Sequence, residues 1–318
     1  MNTQHPVIVL MSVNDTETHA LLDAFIGLGL PPVQVTKGGR TYNDLGIHGG
    51  CSIVHTICEM GAGGVGASQQ RTSEAIEHWQ PKAIIAVGIA FGMDEKKQAI
   101  GDVLVSTQIQ DYELGRLNED GTLTPRGDKP SSSDTLRNRF RQTDNTESRR
   151  VGDWPKVRFG LLLTGQKLVD NKDYRESLKA ISQEAIGGEM EGIGLYVGAE
   201  IAKVDWIIVK AICDWGHNKS RAEKDAWQKV AAKNAARVVK TALDVDGLYG
   251  GVTAHPVSSL QAIVAEARPN PIALGLWQKK LAFLQQEEAL AVDPVQRFSI
   301  LQRIEEAKAK IQEFGGCL

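Results

Sequence analysis

Short apolar blocks alternating with segments of helical spacing run from residue 6 to about residue 245. Residues 6–13, Pro-Val-Ile-Val-Leu-Met-Ser-Val, are apolar without alternation, as in a strand buried on both faces. An Asn/Asp/Thr turn leads from them into a helix expected near 17–28. A weaker strand pair covers about 33–60, followed by the glycine-rich run 61–66, a helix at about 67–78 and a strand at 83–87. Residues 102–107 form another strand. Segment 115–155 is polar, carries Arg137, Arg139, Arg141, Arg149 and Arg150, and has little apolar periodicity; it reads as a long excursion with at most one helix. Strand 157–164, helix 187–202, strand 204–212 and helix 222–245 complete the series. Strands alternating with helices predict an α/β fold around a mixed or parallel sheet covered on both faces.

The pattern changes near residues 247–251. A stretch with Pro256, Pro269 and Pro271 follows, then two amphipathic helices. The first spaces Leu274, Trp277, Leu281 and Leu284 along one face. The second opens at Asp293-Pro294, an N-cap followed by proline at the first helical position, and carries Phe298, Leu301, Ile304, Ile311 and Phe314. Two short helices cannot bury such faces alone, so they must pack on each other, on the main domain or on a partner. The expected division is a catalytic domain over 1–247, a linker over 248–272 and a helical hairpin over 273–318, an adaptor or oligomerisation module.

Composition narrows the function classes. The 318 residues are 42% hydrophobic with a formal net charge of −3, which argues against a nucleic-acid partner. The sequence has no run of eighteen apolar residues for a membrane span and does not open with a secretory signal. Four cysteines lie scattered without metal-ligand spacing, and reduced thiols in the cytoplasm are the simplest account. No metal and no organic cofactor is implied.

The densest chemistry lies in 183–215. Glu189 and Glu191 bracket Met190 at the start of a helical run, and the apolar strand 204–212 runs into Asp214. Acids delivered at strand ends and helix starts are how open α/β sheets build small-molecule sites. Two positions apart on a helix means about 200° apart, so both glutamates cannot face one pocket if the helix has already begun; Glu189 is the more structural of the two. The run Gly61-Ala62-Gly63-Gly64-Val65-Gly66 satisfies Gly-x-Gly-x-x-Gly between a strand and a helix, but the acid that a dinucleotide site needs about 20 residues on is missing.

These motifs resemble those of the purine nucleoside phosphorylase and methylthioadenosine/adenosylhomocysteine nucleosidase superfamily. Glu189-Met190-Glu191-Gly192 is similar to its Glu-Met-Glu-Ala, and Lys210-Ala211-Ile212-Cys213-Asp214 to its Arg-Ala-Ile-Ser-Asp. The glycine run 61–66 is similar to Gly-Ile-Gly-Lys-Val, where glycines, here including Gly63, let the backbone approach the ligand. The resemblance implies a three-layer α/β/α sandwich around a mixed sheet, assembled as dimers or larger rings. It implies that Glu191 accepts the ribose hydroxyls, Met190 packs beneath the sugar and Asp214 assists departure of the purine. Glu17, in a partial match to Ala-Met-Glu-Glu-Glu, would handle the attacking water, with Asp15 as the alternative acid. Around Gly88, Ala86 and Ile89 stand where bacterial phosphorylases place the Arg and Ser that hold phosphate, so hydrolysis is expected over phosphorolysis. Leu168 and Val169 match the Phe-Ile whose Phe stacks on the base; Trp215 and Phe91 are candidate substitutes. Lys37, Arg40 and the arginines of 137–150 are either a polyphosphate-facing rim or a solvated surface.

The expected function is therefore an N-ribosyl hydrolase acting on a purine nucleoside or nucleotide. Because 273–318 resembles the small helical adaptor modules of bacterial conflict proteins, an antiviral effector acting on a nucleotide such as ATP and recruited by a protein partner is one form of it. Housekeeping cleavage of methylthioadenosine or adenosylhomocysteine, and nucleotide sensing without turnover, are the alternatives.

Overall fold

Six consecutive apolar-to-small residues, Val7–Ser12, make strand β1 of the computed structural model, and five of the six are buried. The structure describes residues 5–217 and 223–250, together with Gln278, Leu281, Ala282, Gln285, Ile300, Ile304, Lys308 and Ile311. The chain divides into two units, Met1–Gly251 and Val252–Leu318.

In the first unit β1 leads into α1 (Asp15–Ile26), then β2 (Val33–Lys37), β3 (Arg40–His48), β4 (Cys51–Ile57), α2 (Ser68–Trp79), β5 (Ala83–Gly92) and β6 (Val103–Asp111). A small hairpin of β7 (Gly115–Leu117) and β8 (Leu123–Pro125) and helix α3 (Asp134–Arg150) occupy the polar segment. Then come β9 (Val157–Thr164), α4 (Lys172–Ile181), β10 (Ala185–Glu189), α5 (Gly192–Ala202), β11 (Asp205–Asp214) and α6 (Lys224–Asp244).

Nine strands form one sheet in the order β10-β9-β6-β11-β5-β1-β4-β3-β2. The centre is parallel (β4, β1, β5 and β11), while β6 runs antiparallel to β11, so the sheet is mixed as expected. The end of β10 also pairs antiparallel with β5, through Gly187 opposite Gly92 and Gly188 opposite Phe91. That extra pairing closes β5, β11, β6, β9 and β10 into a ring, a curl beyond a plain sandwich. Glycine is required at this seam, since a Cβ on Gly188 would meet the Phe91 ring at 2.2 Å.

Alternation along each strand sends neighbours to opposite faces. Ile8 and Leu10 join one core with Leu21 and Phe25 of α1, Leu136 and Phe140 of α3 and the alanine-valine face of α6. Val9 and Met11 join the other, with Ala75 of α2 and Leu195 and Ala199 of α5. Full burial of each such side chain stabilises the fold by about 1.5–3 kcal/mol. Helices α2 and α5 approach closely because Gly194 and Gly198 lie against Ser68 and Thr72.

Several sequence expectations shift. The expected pair over 33–60 is three strands. The expected helix 187–202 is strand β10 followed by α5, which starts only at Gly192. Helix α4, which the periodicity reading passed over, is signalled by Asn171 as N-cap and by Tyr174, Leu178 and Ile181 spaced along one face. In the second unit, Ile300, Ile304 and Ile311 are helical and buried. Leu274, Trp277, Leu284, Phe298, Leu301 and Phe314 lie outside the described residues, as does most of the linker.

Candidate functional site

A cavity of about 220 Å³ opens at the C-terminal ends of β1, β5 and β11, and its walls include Glu17, Leu168, Val169, Met190, Glu191 and Asp214. Six candidates separated by up to almost two hundred positions in sequence thus face one space. Phe91 lines it too, whereas Trp215 does not. Gly88 and Gly63 are not in the wall. Gly88 lies beneath Glu17, and a Cβ there would sit 2.0 Å from Glu17 Oε1. Gly63 lies near Gln166.

Glu17 comes from the first turn of α1 and does two jobs. Asn14 is the N-cap, its side chain accepting from Glu17 N at 3.0 Å, while Glu17 Oε2 accepts from the backbone N–H groups of Asn14 at 3.3 Å and Val13 at 2.8 Å. This capping box fixes the carboxylate in place. Its other oxygen accepts from Ile89 N of β5 at 2.8 Å. The side chain is buried, and that burial raises its pKa above the usual carboxylate value despite the pull of Lys210. Asp15, the alternative acid, is outside the wall.

Because α5 has not begun at Glu189, the 200° separation does not apply: both glutamates line the cavity. Glu189 ends β10 and accepts from the backbone N–H groups of Glu191 and Gly192 at 2.9 and 3.0 Å, clamping the start of α5. Burial pushes its pKa up to about 7. Glu191 accepts from Gly61 N at 3.1 Å, and its carbonyl accepts from Ser68 Oγ at 2.7 Å. The glycine run thus turns back onto Glu191, with Gly61, Gly64 and Gly66 all at positive φ, where glycine is nearly free of steric cost.

Lys210 was not singled out from the sequence. It lies mid-strand in β11 at 2% exposure, and its Nζ donates to Glu191 Oε2 at 2.6 Å with Glu189 Oε2 at 3.9 Å. Burial alone would lower its pKa, but attraction to Glu191, Glu17 and Glu189 more than reverses this, so the ammonium is held charged. The signal was present: a lysine inside Trp-Ile-Ile-Val-Lys-Ala-Ile-Cys needs a buried counter-charge.

Asp214 is half-buried at the end of β11. Its Oδ1 accepts from Gly216 N at 2.7 Å, and Cys213 Sγ donates to Oδ2 at 3.2 Å. The wall also includes Val13, Asn14, Met60, Ile89, Lys224 and Gln228, and Lys167, which pairs with Glu113.

The basic residues considered as a rim are elsewhere. Arg40 pairs with Glu74, Lys37 lies over the Trp79 ring, Arg137 pairs with Asp134, and Arg139 caps the carbonyls of Val245 and Asp246. None lines the cavity, because α3 packs on the α6 side of the sheet and spends its arginines there. Among the described residues no group of three or more metal-binding side chains gathers, and no helix is long and apolar enough to cross a membrane.

A mixed α/β sheet whose strand ends gather buried acids around a nucleoside-sized space defines a small-molecule-binding α/β domain. The chain belongs to the phosphorylase superfamily, whose model it matches over residues 7–244. It is 34% identical over 197 residues to a death domain-containing ATP nucleosidase of Amphimedon queenslandica, across 56% of this chain and 37% of that protein. It is 25% identical over 199 residues to the ATP nucleosidase Cap17 of Escherichia coli, across 55% of this chain and 38% of that protein. The chain thus spans well under half the length of both. The solved structure of 5′-methylthioadenosine/S-adenosylhomocysteine nucleosidase from Helicobacter pylori superposes with a TM-score of 0.64 at 20% identity, over 76% of this chain and 98% of that one, and has the same fold.

Proposed function

We propose that the protein is a purine N-ribosyl hydrolase, cleaving the bond between a purine and the ribose of a nucleoside or nucleotide. The observation that carries this reading is the meeting of Glu17, Glu191 and Asp214 in one cavity beside a buried lysine. Glycoside cleavage passes through a ribosyl cation, so it needs anionic surroundings for the sugar, a proton donor at the base and a placed nucleophile. Glu191, fixed by Lys210 and Gly61, accepts hydrogen bonds from the ribose hydroxyls, with Met190 beneath the ring. Asp214 donates to purine N7 as the C1′–N9 electron pair leaves with the base. Glu17 takes a proton from water as its oxygen bonds to C1′, and its raised pKa suits a base working near neutrality. Phe91 and Val169 supply the apolar wall for the base.

Water is the favoured nucleophile because, among the described residues, no phosphate cradle accompanies the acids. Ala86 and Ile89 replace the Arg and Ser of bacterial phosphorylases, and the Ile89 N–H is committed to Glu17. The ATP nucleosidases among the relatives, and the fold shared with methylthioadenosine nucleosidases, support a nucleosidase acting on an adenine compound. The helical pattern of 273–318 extends the proposal to a cytoplasmic, oligomeric effector in antiviral defence, recruited by a protein partner. Deleting residues 253–318 tests that extension: unchanged assembly and unchanged cellular activity would remove its support.

The direct test is release of free purine from a panel of nucleosides and nucleotides. Wild-type protein should liberate adenine without added phosphate, and Asp214→Asn should bind the same ligand while releasing base at least about a hundredfold more slowly. Release that depends on phosphate, or binding without release, would replace the reading by phosphorolysis or by sensing.

A further inference from the structure

We infer that the substrate bears a phosphate chain on its 5′ carbon and that Lys224 is the side chain that selects it; this rests on the nucleosidase reading above. The cavity wall divides by what each residue already does. Glu191 with its bonded Lys210, and Met190, belong to the sugar face, Phe91, Val169 and Asp214 to the base, and Glu17 to the water, while Glu189 clamps the start of α5. Lys167 is held by Glu113. Ala90, Leu168, Gly188 and Cys213 are small or apolar. Beside them, what remains for the 5′ substituent is the sector of Val13, Asn14, Met60, Ile89, Lys224 and Gln228, with Asn14 at the start of α1 and Lys224 and Gln228 on α6.

Within that sector the polar groups are donors. Lys224 and Gln228 are one helical turn apart on α6 and so lie on the same face. Gln228 offers an amide. Asn14 spends its side-chain oxygen on Glu17 N, which leaves its amide nitrogen as the donor it can offer. Lys224 is exposed, and no ion pair or hydrogen bond engages it among the described residues. Its acidic neighbours in sequence, Glu223 and Asp225, are not in the wall. The acids that do line the cavity are Glu17, Glu191 and Asp214, assigned to water, sugar and base, and Glu189, which clamps the start of α5.

Charge decides between substituents. The buried interior holds three glutamates against one lysine, so a phosphate is repelled from the bottom of the site and kept at the mouth. There an ammonium ion is a point charge suited to phosphate, and it need not be stripped of all its water. Lys229 and Lys233 follow on α6 along the neighbouring groove against α1. An alkylthio substituent would give Lys224 no counter-charge and would displace water from it without return.

The test is a comparison of adenine release from ATP, AMP, adenosine and 5′-methylthioadenosine by the full chain and its Lys224→Ala and Lys224→Glu variants. Wild-type should prefer ATP to adenosine and to the thioether. The ratio of kcat/KM for ATP to that for adenosine should fall about tenfold in Lys224→Ala and further in Lys224→Glu, mostly through KM, with a weaker salt dependence for ATP. Parallel equilibrium binding of ATP and adenosine asks the same question without turnover. A wild-type preference for the thioether, or variants that move all substrates together or none, would overturn the inference while leaving the nucleosidase reading in place. Tight, Lys224-dependent ATP binding with no base release from any compound would do the reverse.

Discussion

Replacing Lys210 by Met removes the single positive charge from the buried cluster while keeping most of the side-chain volume. Lys210 and Glu191 are both nearly inaccessible, the Nζ to Oε2 distance is 2.6 Å, and Glu189 is a further buried acid at 3.9 Å. Breaking a buried pair from one side strands its partner, at a cost of about 3–5 kcal/mol. Here two or three carboxylates are stranded, so the upper end of that range is expected at pH 8. The pH dependence gives the decisive reading. Without Lys210 the Glu17 and Glu189 carboxyls, already raised by burial, lose the cation that opposed the rise and move further above their unfolded values near 4.5, so the fold binds protons that the unfolded chain does not. The added destabilisation is absent below about pH 4.5, grows as pH rises through the raised pKa values and is complete above them. Urea denaturation of both proteins at pH 5 and pH 8 measures it, because taking the difference between them cancels every other titrating group. The double variant Lys210→Met/Glu191→Gln should recover part of the loss, since it removes one stranded charge. A loss below about 1 kcal/mol at pH 8, or one of equal size at both pH values, would show that the cluster is hydrated rather than buried.

Three further outcomes follow from the same geometry. Gly88→Ala places a Cβ 2.0 Å from Glu17 Oε1 and must push that carboxylate off the Ile89 N–H, so base release should fall about tenfold or more while circular dichroism stays native. Gly194→Val drives a side chain into Ser68 Oγ at 2.2 Å and the backbone of Gln69 at 2.7 Å; a loss of about 2–4 kcal/mol by chemical denaturation is expected, and a loss under 1 kcal/mol would mean that α2 and α5 can slide apart. His55 is buried between Ser12 at 2.8 Å and Asn43 at 3.0 Å, with its pKa lowered to about 4 by burial. A histidine kept neutral in the fold makes the protein more stable above the unfolded value of about 6.5 than below it, so up to about 3 kcal/mol should be lost between pH 6.5 and 4. His55→Asn should flatten that slope; an unchanged slope would assign the acid sensitivity to other groups.

The parallel centre of the sheet was legible because β1, β5 and β11 are buried on both faces and, Lys210 apart, are apolar along most of their length. Asp214 was legible for the same reason, as the first acid after a long apolar strand. What the sequence hid was contingent on contacts made across the chain. Periodicity could not place the start of α5, since Gly-Gly-Glu-Met-Glu-Gly has neither helical nor strand spacing. The boundary is set when Glu189 accepts the N–H groups of Glu191 and Gly192, and that shift brings both glutamates to the cavity. Lys210 was passed over because its family counterpart is an arginine and its partners lie about 20 residues upstream. The arginines of 137–150 show the opposite failure: their charge invited a functional reading, but none lines the cavity, and Arg137, Arg139 and Arg141 engage an acid, neighbouring carbonyls and the Phe159 ring.

The electrostatics of the cluster also bear on the choice between water and phosphate. A phosphate dianion attacking C1′ would have to stand beside Glu17, Glu189 and Glu191, whose neighbouring buried cation, Lys210, is already bonded to Glu191. In a site of low dielectric, that repulsion is not screened. Neutral water suffers no such repulsion and gains a base in Glu17, whose burial raises its pKa. In the proposed reaction the same acids that repel an external phosphate would stabilise the developing ribosyl cation, so one charge distribution would favour hydrolysis twice. Phosphates tethered to the 5′ carbon escape the penalty only by staying at the mouth. On the proposed reading, the side of the cavity that holds Lys224 would separate a nucleotide from a nucleoside, and the side that holds Lys210 would separate hydrolysis from phosphorolysis.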